Sequence, residues 1–171
     1  MLLPENIDSI KKENFKHTIH SLNISFTNKK RISINKMMMS NYVKSKKTKG
    51  LQLAKLSYDD NSQDVELLAG MPIMARKNSK SLNIFNNETF RIKEIRKKTD
   101  IILVEDEDRC QEIPIKDFQH LFYIAFCITV HKSQGCTFDD EYTIHEFDRY
   151  DNRLKYVALS RATDIKHINI V

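Results

Sequence analysis

Two short stretches hold the side chains best suited to chemistry. Residues 129–137 read Thr-Val-His-Lys-Ser-Gln-Gly-Cys-Thr, a run of hydrogen-bonding side chains around one glycine. Gly135 lets the backbone approach a phosphate closely, and Thr129, Lys132 and Ser133 could donate to phosphate oxygens. An ordinary polar turn is the competing reading. Residues 156–163 read Tyr-Val-Ala-Leu-Ser-Arg-Ala-Thr. Here Arg161 stands in apolar company and must find an anion, because a buried unpaired charge is costly. A structural salt bridge to Asp164 or Asp148 would satisfy it. So would a transferring phosphoryl group, whose charge an arginine finger stabilises for a rate gain of about 10³ to 10⁵.

These side chains need elements to hold them. Residues 121–129 are almost continuously apolar (Leu-Phe-Tyr-Ile-Ala-Phe-Cys-Ile-Thr), which predicts a central strand buried on both faces. That strand would deliver His131 at its carboxyl end, where ligands of open α/β sheets bind. Residues 149–161 are helical in composition and carry Arg161 at their end. Residues 22–27 alternate apolar and polar, as a half-buried strand does. Thr27-Asn28 is then a helix cap for an amphipathic helix over residues 29–42, whose Met37-Met38-Met39 run reads as core packing. Residues 141–145 and 167–171 are further strand candidates, and residues 6–15 a short polar helix.

The middle of the chain has a different character. Gly70 and Pro72 punctuate an apolar stretch, and Asn86-Asn87-Glu88 signals a turn, because Asn tolerates positive φ nearly as well as Gly. Residues 89–95, 101–104 and 110–115 are strand-like, with an acidic turn over 105–109. Short strands at this spacing predict a small barrel or meander. Residues 57–64 are a polar, acidic loop. Residues 44–49 (Lys-Ser-Lys-Lys-Thr-Lys) are either a solvated loop or a phosphate-contacting one. The order is α/β, then all-β, then α/β again, as in a discontinuous domain with an insertion.

Composition bounds the function. With 171 residues, the chain has room for one ordinary domain and a small insertion. A content of 40% hydrophobic and 30% charged residues fits a globular protein and excludes a disordered one. The net charge of +5 favours polyanionic partners through phosphate contacts. Cys110, Cys127 and Cys136 show no CxxC spacing, which argues against a disulfide framework or a zinc site. They read as small buried residues, with Cys136 set apart by its place in the first motif. No apolar run is long enough to cross a bilayer, and residues 1–6 carry no secretory signal. An intracellular location is expected.

Taken together, the two motifs resemble those of superfamily 1 DNA helicases, especially the RecD/Pif-like branch. His131-Lys132-Ser133-Gln134-Gly135, with Thr137 two residues on, resembles helicase motif V. Val157-Ala158-Leu159-Ser160-Arg161-Ala162-Thr163 resembles motif VI. Residues 22–35, with Thr27-Asn28 and Asn35, resemble motif IV. Gly70-Met71-Pro72-Ile73-Met74 and Asn86-Asn87 resemble the start and first hairpin of the SH3-like accessory barrel of that branch. Relatives often carry Asn-Gly where this chain has Asn87-Glu88. The resemblance covers nearly the whole chain, most closely over residues 121–163.

The resemblance implies an α/β fold: a second RecA-like domain of the P-loop NTPase type over residues 1–68 and 119–171, interrupted by an SH3-like all-β barrel over 69–118. It implies that Arg161 is an arginine finger, that Gly135 and Gln134 lie beside ATP, and that Thr27, Asn28, Thr129, His131, Lys132 and Ser133 face single-stranded DNA. No Gly-x-x-x-x-Gly-Lys-Ser/Thr loop is present, and no apolar strand ends in Asp-Glu before motif IV. The phosphate loop and the ligands for Mg2+ are therefore expected from an N-terminal RecA-like helicase domain, in cis or in trans. The isolated chain is expected to be monomeric and inactive, and the assembled motor to move 5′ to 3′. The richness in Ile, Lys and Asn, and the Asn-Asn-Glu-Thr-Phe segment, point to a large DNA virus. A nucleic-acid-binding module without ATPase activity and a scaffold using the barrel are the alternatives.

Overall fold

The computed structural model describes residues 7, 11, 12 and 15–171. The helix expected over residues 6–15 lies largely outside them. In chain order the strands are β1 (Leu22–Ser25), β2 (Leu51–Leu53), β3 (Val65–Leu67), β4 (Pro72–Ala75), β5 (Thr89–Arg96), β6 (Ile101–Glu105), β7 (Cys110–Pro114), β8 (Phe122–Ile124), β9 (Cys127–Thr129), β10 (Tyr142–Ile144) and β11 (Ile168–Ile170). The helices are α1 (Asn28–Lys46), α2 (Phe118–Leu121) and α3 (Asn152–Leu159). None is long and apolar enough to cross a membrane.

Contacts divide the chain into two units, Met1–Ser33 with Cys127–Val171, and Ile34–Phe126. The first is built on a parallel sheet of order β11-β10-β1-β9. β1 is a central strand of this sheet, and its polar residues do not face water as the alternating pattern predicts. Asn23 and Ser25 are fully buried, and buried polar groups must be satisfied. Asn23 Nδ2 donates to His20 O (2.9 Å), and His145 Nε2–H donates to Asn23 Oδ1 (2.9 Å). Ser25 Oγ donates to Thr27 O (3.2 Å).

The second unit holds an antiparallel sheet of order β7-β6-β5-β4-β8 and a β2–β3 hairpin. Its core gathers Met39 of α1, Val65 and Leu67 of β3, Ile73, Phe90, Ile102 and Ile113 of the sheet, and Phe118 of α2. This explains why the divisions fall at 33/34 and 126/127 rather than at the expected 68/69 and 118/119. The second half of α1 and the β2–β3 hairpin bury their apolar faces on the sheet's core. Within the methionine run, Met39 is buried and Met38 packs on that core, whereas Met37 is 41% exposed.

The apolar run 121–129 is not one strand. Leu121 ends α2, β8 pairs antiparallel with β4 (Ile73↔Ile124), and β9 pairs parallel with β1 (Ile24↔Ile128). Ala125 and Phe126 separate them. Both halves are buried, so burial alone makes the run look continuous. The basic run is also divided, because Lys44 and Lys46 complete α1 and the chain leaves the helix at Lys47, whose φ is 50°. At the Asn86-Asn87-Glu88 turn, Asn87 takes the left-handed conformation (φ 72°). Glu88 is thereby left to pair with Arg109 (3.1 Å).

Candidate functional site

Every predicted site residue lies in the first unit; those of the β1 and β9 segments stand at or beyond the carboxyl ends of these strands, and Arg161 lies between α3 and β11. Because β1, β9 and β10 are parallel, the segments that leave them emerge on one edge. Val130 N–H donates to Ser25 O (2.9 Å) and His145 N–H to Ile24 O (2.8 Å), which carries the sheet to that edge. β1 leads away toward β9 on one side, and β10 toward β11 on the other. Such a divergence opens a crevice in doubly wound sheets.

The segment after β9 folds as a tight turn. Ser133 N–H donates to Thr129 O (3.0 Å), and Cys136 N–H to Ser133 O (3.0 Å). Ser133 was expected to donate to phosphate, yet it is fully buried, and its Oγ donates to Val130 O (2.7 Å). It braces the turn. Thr129 is also buried, at 9% exposure. His131, Gln134, Gly135 and Thr137 are exposed and Lys132 and Cys136 half-buried, so these are the members of the motif that a ligand can reach. Gly135 has φ +90°, and a Cβ there would meet nothing within 4 Å. Its glycine is required by the left-handed backbone, not by crowding.

Arg161 meets this turn. Phe138 N–H donates to Arg161 O (2.8 Å), and Thr163 N–H to Phe138 O (3.2 Å), so the two motifs pair as a short parallel bridge between Phe138 and Ala162. The guanidinium donates through Nε to Val157 O (2.9 Å), through Nη1 to Cys136 O (3.0 Å) and through Nη2 to Ser160 Oγ (2.9 Å). Neither Asp148 nor Asp164 is its partner. Asp164 pairs with Lys166 (2.9 Å), and among the described residues no carboxylate pairs with Arg161. Neutral acceptors therefore orient the cation without neutralising it, and two of its five N–H groups are not used by these bonds. Tyr142, fully buried on β10, donates to Ala158 O (2.6 Å) and fixes the end of α3 just before Arg161. Burial pushes its phenol far above the ordinary range despite the guanidinium nearby. Burial also raises the Cys136 thiol, against the pull of Arg161, which makes it a poor nucleophile.

At the end of β1, Thr27 caps α1, its Oγ1 accepting from Lys30 N–H (3.2 Å). Asn28 Oδ1 accepts from Arg31 Nε (3.0 Å). The sequence reading missed what faces this cap. Glu146, which follows β10 with φ 60°, places its carboxylate on the turn. Oε2 accepts from Phe26 N–H (3.1 Å) and Thr27 N–H (2.9 Å), and Oε1 from Thr27 Oγ1 (3.1 Å). Arg149 pairs with the same carboxylate (2.6 Å). Burial acts to raise Glu146, but the Thr27 amide and hydroxyl, Arg149 and the Phe26 amide outweigh it, so the acid is held below the usual carboxylate range. The groups expected to receive a DNA phosphate thus already hold an internal anion. The only signal in the sequence was an acidic residue just past a strand.

His145 beside it is 3% exposed. Burial, with Lys30 and Lys12 adding to it, lowers the ring from 6.5 to about 4. It stays neutral at pH 7 and holds Asn23. Among the described residues, no group of His, Cys, Asp and Glu could hold a metal ion.

This parallel sheet with its antiparallel companion is the mixed α/β fold of a Pif1 helicase domain. The chain aligns over 98% of its length with Bacteroides Pif1 bound to single-stranded DNA, at 19% identity and a TM-score of 0.66, and covers 44% of that protein. Bacteroides Pif1 in complex with ADP-AlF3 and single-stranded DNA gives 18% identity, a TM-score of 0.65 and 98% and 47% coverage. Pif1 from Candida albicans gives 14% identity, a TM-score of 0.66 and 98% and 51% coverage. The chain thus spans about half the length of these helicases. No protein-family profile matches the sequence, and no characterised protein matches it at the sequence level.

Proposed function

We propose that this chain is the second, RecA-like motor domain of a superfamily 1 DNA helicase of the Pif1 type, with the antiparallel sheet as its SH3-like insertion. The observation that carries this reading is Arg161: a cation oriented by the Cys136 carbonyl of the preceding motif, with no described carboxylate to neutralise it. In a closed cleft its remaining N–H groups meet the γ-phosphate of ATP held by a first RecA-like domain, in cis or in trans. Gly135 and Gln134 lie beside that nucleotide. Thr27, Asn28, His131 and Lys132 serve the single-stranded DNA, with Glu146 yielding its donors to a phosphate, while buried Thr129 helps hold the turn that carries them. Ser133 supports the turn. Mg2+ accompanies the ATP, and its ligands come from the other domain, since the described residues offer no cluster for it. Loss of the γ-phosphate removes the anion that draws Arg161 inward, and the linked motifs convert that release into a step, 5′ to 3′. Replication or repair inside a cell, or at a viral replication site, is where such a motor would work.

The test joins the chain to a first motor domain carrying a phosphate loop and measures ATP turnover with single-stranded DNA. Arg161→Ala is expected to lower turnover by about 10³-fold or more and to leave ATP binding nearly unchanged. Normal hydrolysis by that variant would refute the assignment. DNA-stimulated turnover by the isolated 171 residues would refute the dependence on a second domain.

A further inference from the structure

The loop joining β4 to β5, residues 76–88, is tied down at both ends and in the middle. Ala75 N–H donates to Glu88 O (2.8 Å) and Asn87 N–H to Ala75 O (2.9 Å). Ser79 and Ile84 exchange both backbone bonds (2.8 and 3.0 Å). Ile84 is fully buried in the sheet's core. From the far turn, Arg109 reaches Asn83 O (2.7 Å) and the Glu88 carboxylate (3.1 Å). That carboxylate also accepts Phe85 N–H (2.8 Å), and Asn78 Oδ1 accepts Asn86 N–H (2.8 Å).

Ile84 points inward, so Phe85 and, across the pair, Asn78 face outward. Phe85 is 52% exposed. A single exposed aromatic is ordinary on a protein surface. Here, however, the backbone on both sides of the ring is fixed, so the ring cannot collapse onto its own surface and loses little freedom on contact. The acids beside this loop, Glu88 and Asp106, are both paired with Arg109, and the rest of the loop is basic. Residues 76–87 contain Arg76, Lys77 and Lys80 and no acid. Arg76 pairs with Asp59, whereas Lys77 and Lys80 are exposed and have no ion pair among the described residues. A fixed exposed ring flanked by free cations is the chemistry that takes a nucleobase and its phosphates. A protein segment would pair with the cations only through acids and would gain nothing particular from one flat ring.

We propose that the 76–88 loop is a base-stacking subsite for single-stranded nucleic acid, in which Phe85 receives a base and Lys77 and Lys80 meet the flanking phosphates. The subsite rests on the nucleic-acid reading above but not on the ATP site. The chain contains no tryptophan, so Phe85→Trp gives a lone fluorophore at the subsite. Its emission is expected to be quenched, saturably, by an oligothymidylate of about 16 nucleotides at low salt. Phe85→Ala is expected to weaken binding of the labelled oligonucleotide by about fivefold to a hundredfold, with unchanged circular dichroism. Lys77→Ala and Lys80→Ala are each expected to reduce the slope of log affinity against log salt by about 0.7. If the parent chain binds and Phe85→Ala binds equally well, or if the Trp emission does not change at saturation, the subsite is overturned and the nucleic-acid reading stands. If the parent chain does not bind at all, both are overturned.

Discussion

Glu146 offers the sharpest test of how the site is held. Its carboxylate accepts two backbone N–H groups and one hydroxyl at the start of α1. Hydrogen bonds to a charged acceptor contribute about 1.5–3 kcal/mol each, against about 0.5–1.5 for a neutral one. Glu146→Gln keeps the shape and removes the charge, which would cost about 1 kcal/mol per bond if the bonds were independent. A further ~0.3–1 kcal/mol comes from losing an anion at a helix N-terminus. The side chain is 14% exposed and its bonds share one group, so the expected net loss is about 2 kcal/mol for Gln and about 3 kcal/mol for Ala. The left-handed φ of 60° adds a second signature. A residue with a Cβ there costs about 1 kcal/mol more than glycine, so Glu146→Gly should be the more stable of the two truncations. Urea unfolding followed by circular dichroism measures these differences, and amide exchange at Phe26 and Thr27 localises them. The carboxylate's stabilisation should be full above the ordinary value of 4.5 and be lost as pH falls through its lowered folded value. A Gln variant within about 0.5 kcal/mol of the parent, a typical surface effect, would refute the reasoning. So would a Gly variant less stable than Ala. On the proposed function, Glu146→Gln also raises affinity for single-stranded DNA, because a phosphate no longer competes with an internal anion.

The buried His145 predicts acid sensitivity of the opposite chemical origin. Its folded value lies below its unfolded one, so the unfolded chain takes up a proton between pH 6.5 and about 4 while the native chain does not. At about 1.4 kcal/mol per unit the loss on acidification reaches at most ~3.5 kcal/mol, and native-state relaxation lowers it to roughly 2 kcal/mol. His145→Gln should flatten that part of the stability–pH curve, and an unchanged curve in the variant would remove His145 as its source. The three cysteines should separate by reactivity. Cys110 is exposed and should react with a thiol reagent first, and half-buried Cys136 more slowly. Cys127, whose thiol burial pushes up to about 12, should react only on unfolding. Fast labelling of Cys127 in the native chain would contradict the buried placement of β9.

Much of the local structure around the candidate site could be read from the sequence alone, because neighbouring residues carry it. Thr27 caps a helix, Asn87 supplies positive φ, and the helix expected over residues 149–161 is α3, which ends two residues before Arg161. The strands over 22–27, 89–95, 101–104 and 141–145 stand within a residue or two of their expected places. Each of these depends on residues close in sequence. What tertiary structure alone decided was which distant group each polar atom meets. The apolar run 121–129 looks the same whether it is one strand or two, since a side chain's burial does not say which sheet buries it. Arg161 was bound to find an acceptor, but the choice of the Cys136 carbonyl over Asp148 or Asp164 depends on a bridge spanning the two motifs. Glu146 meets Thr27 from 119 residues away, and nothing local requires it. Periodicity and capping are properties of neighbouring residues, whereas satisfying a buried donor or cation is settled by the whole sheet.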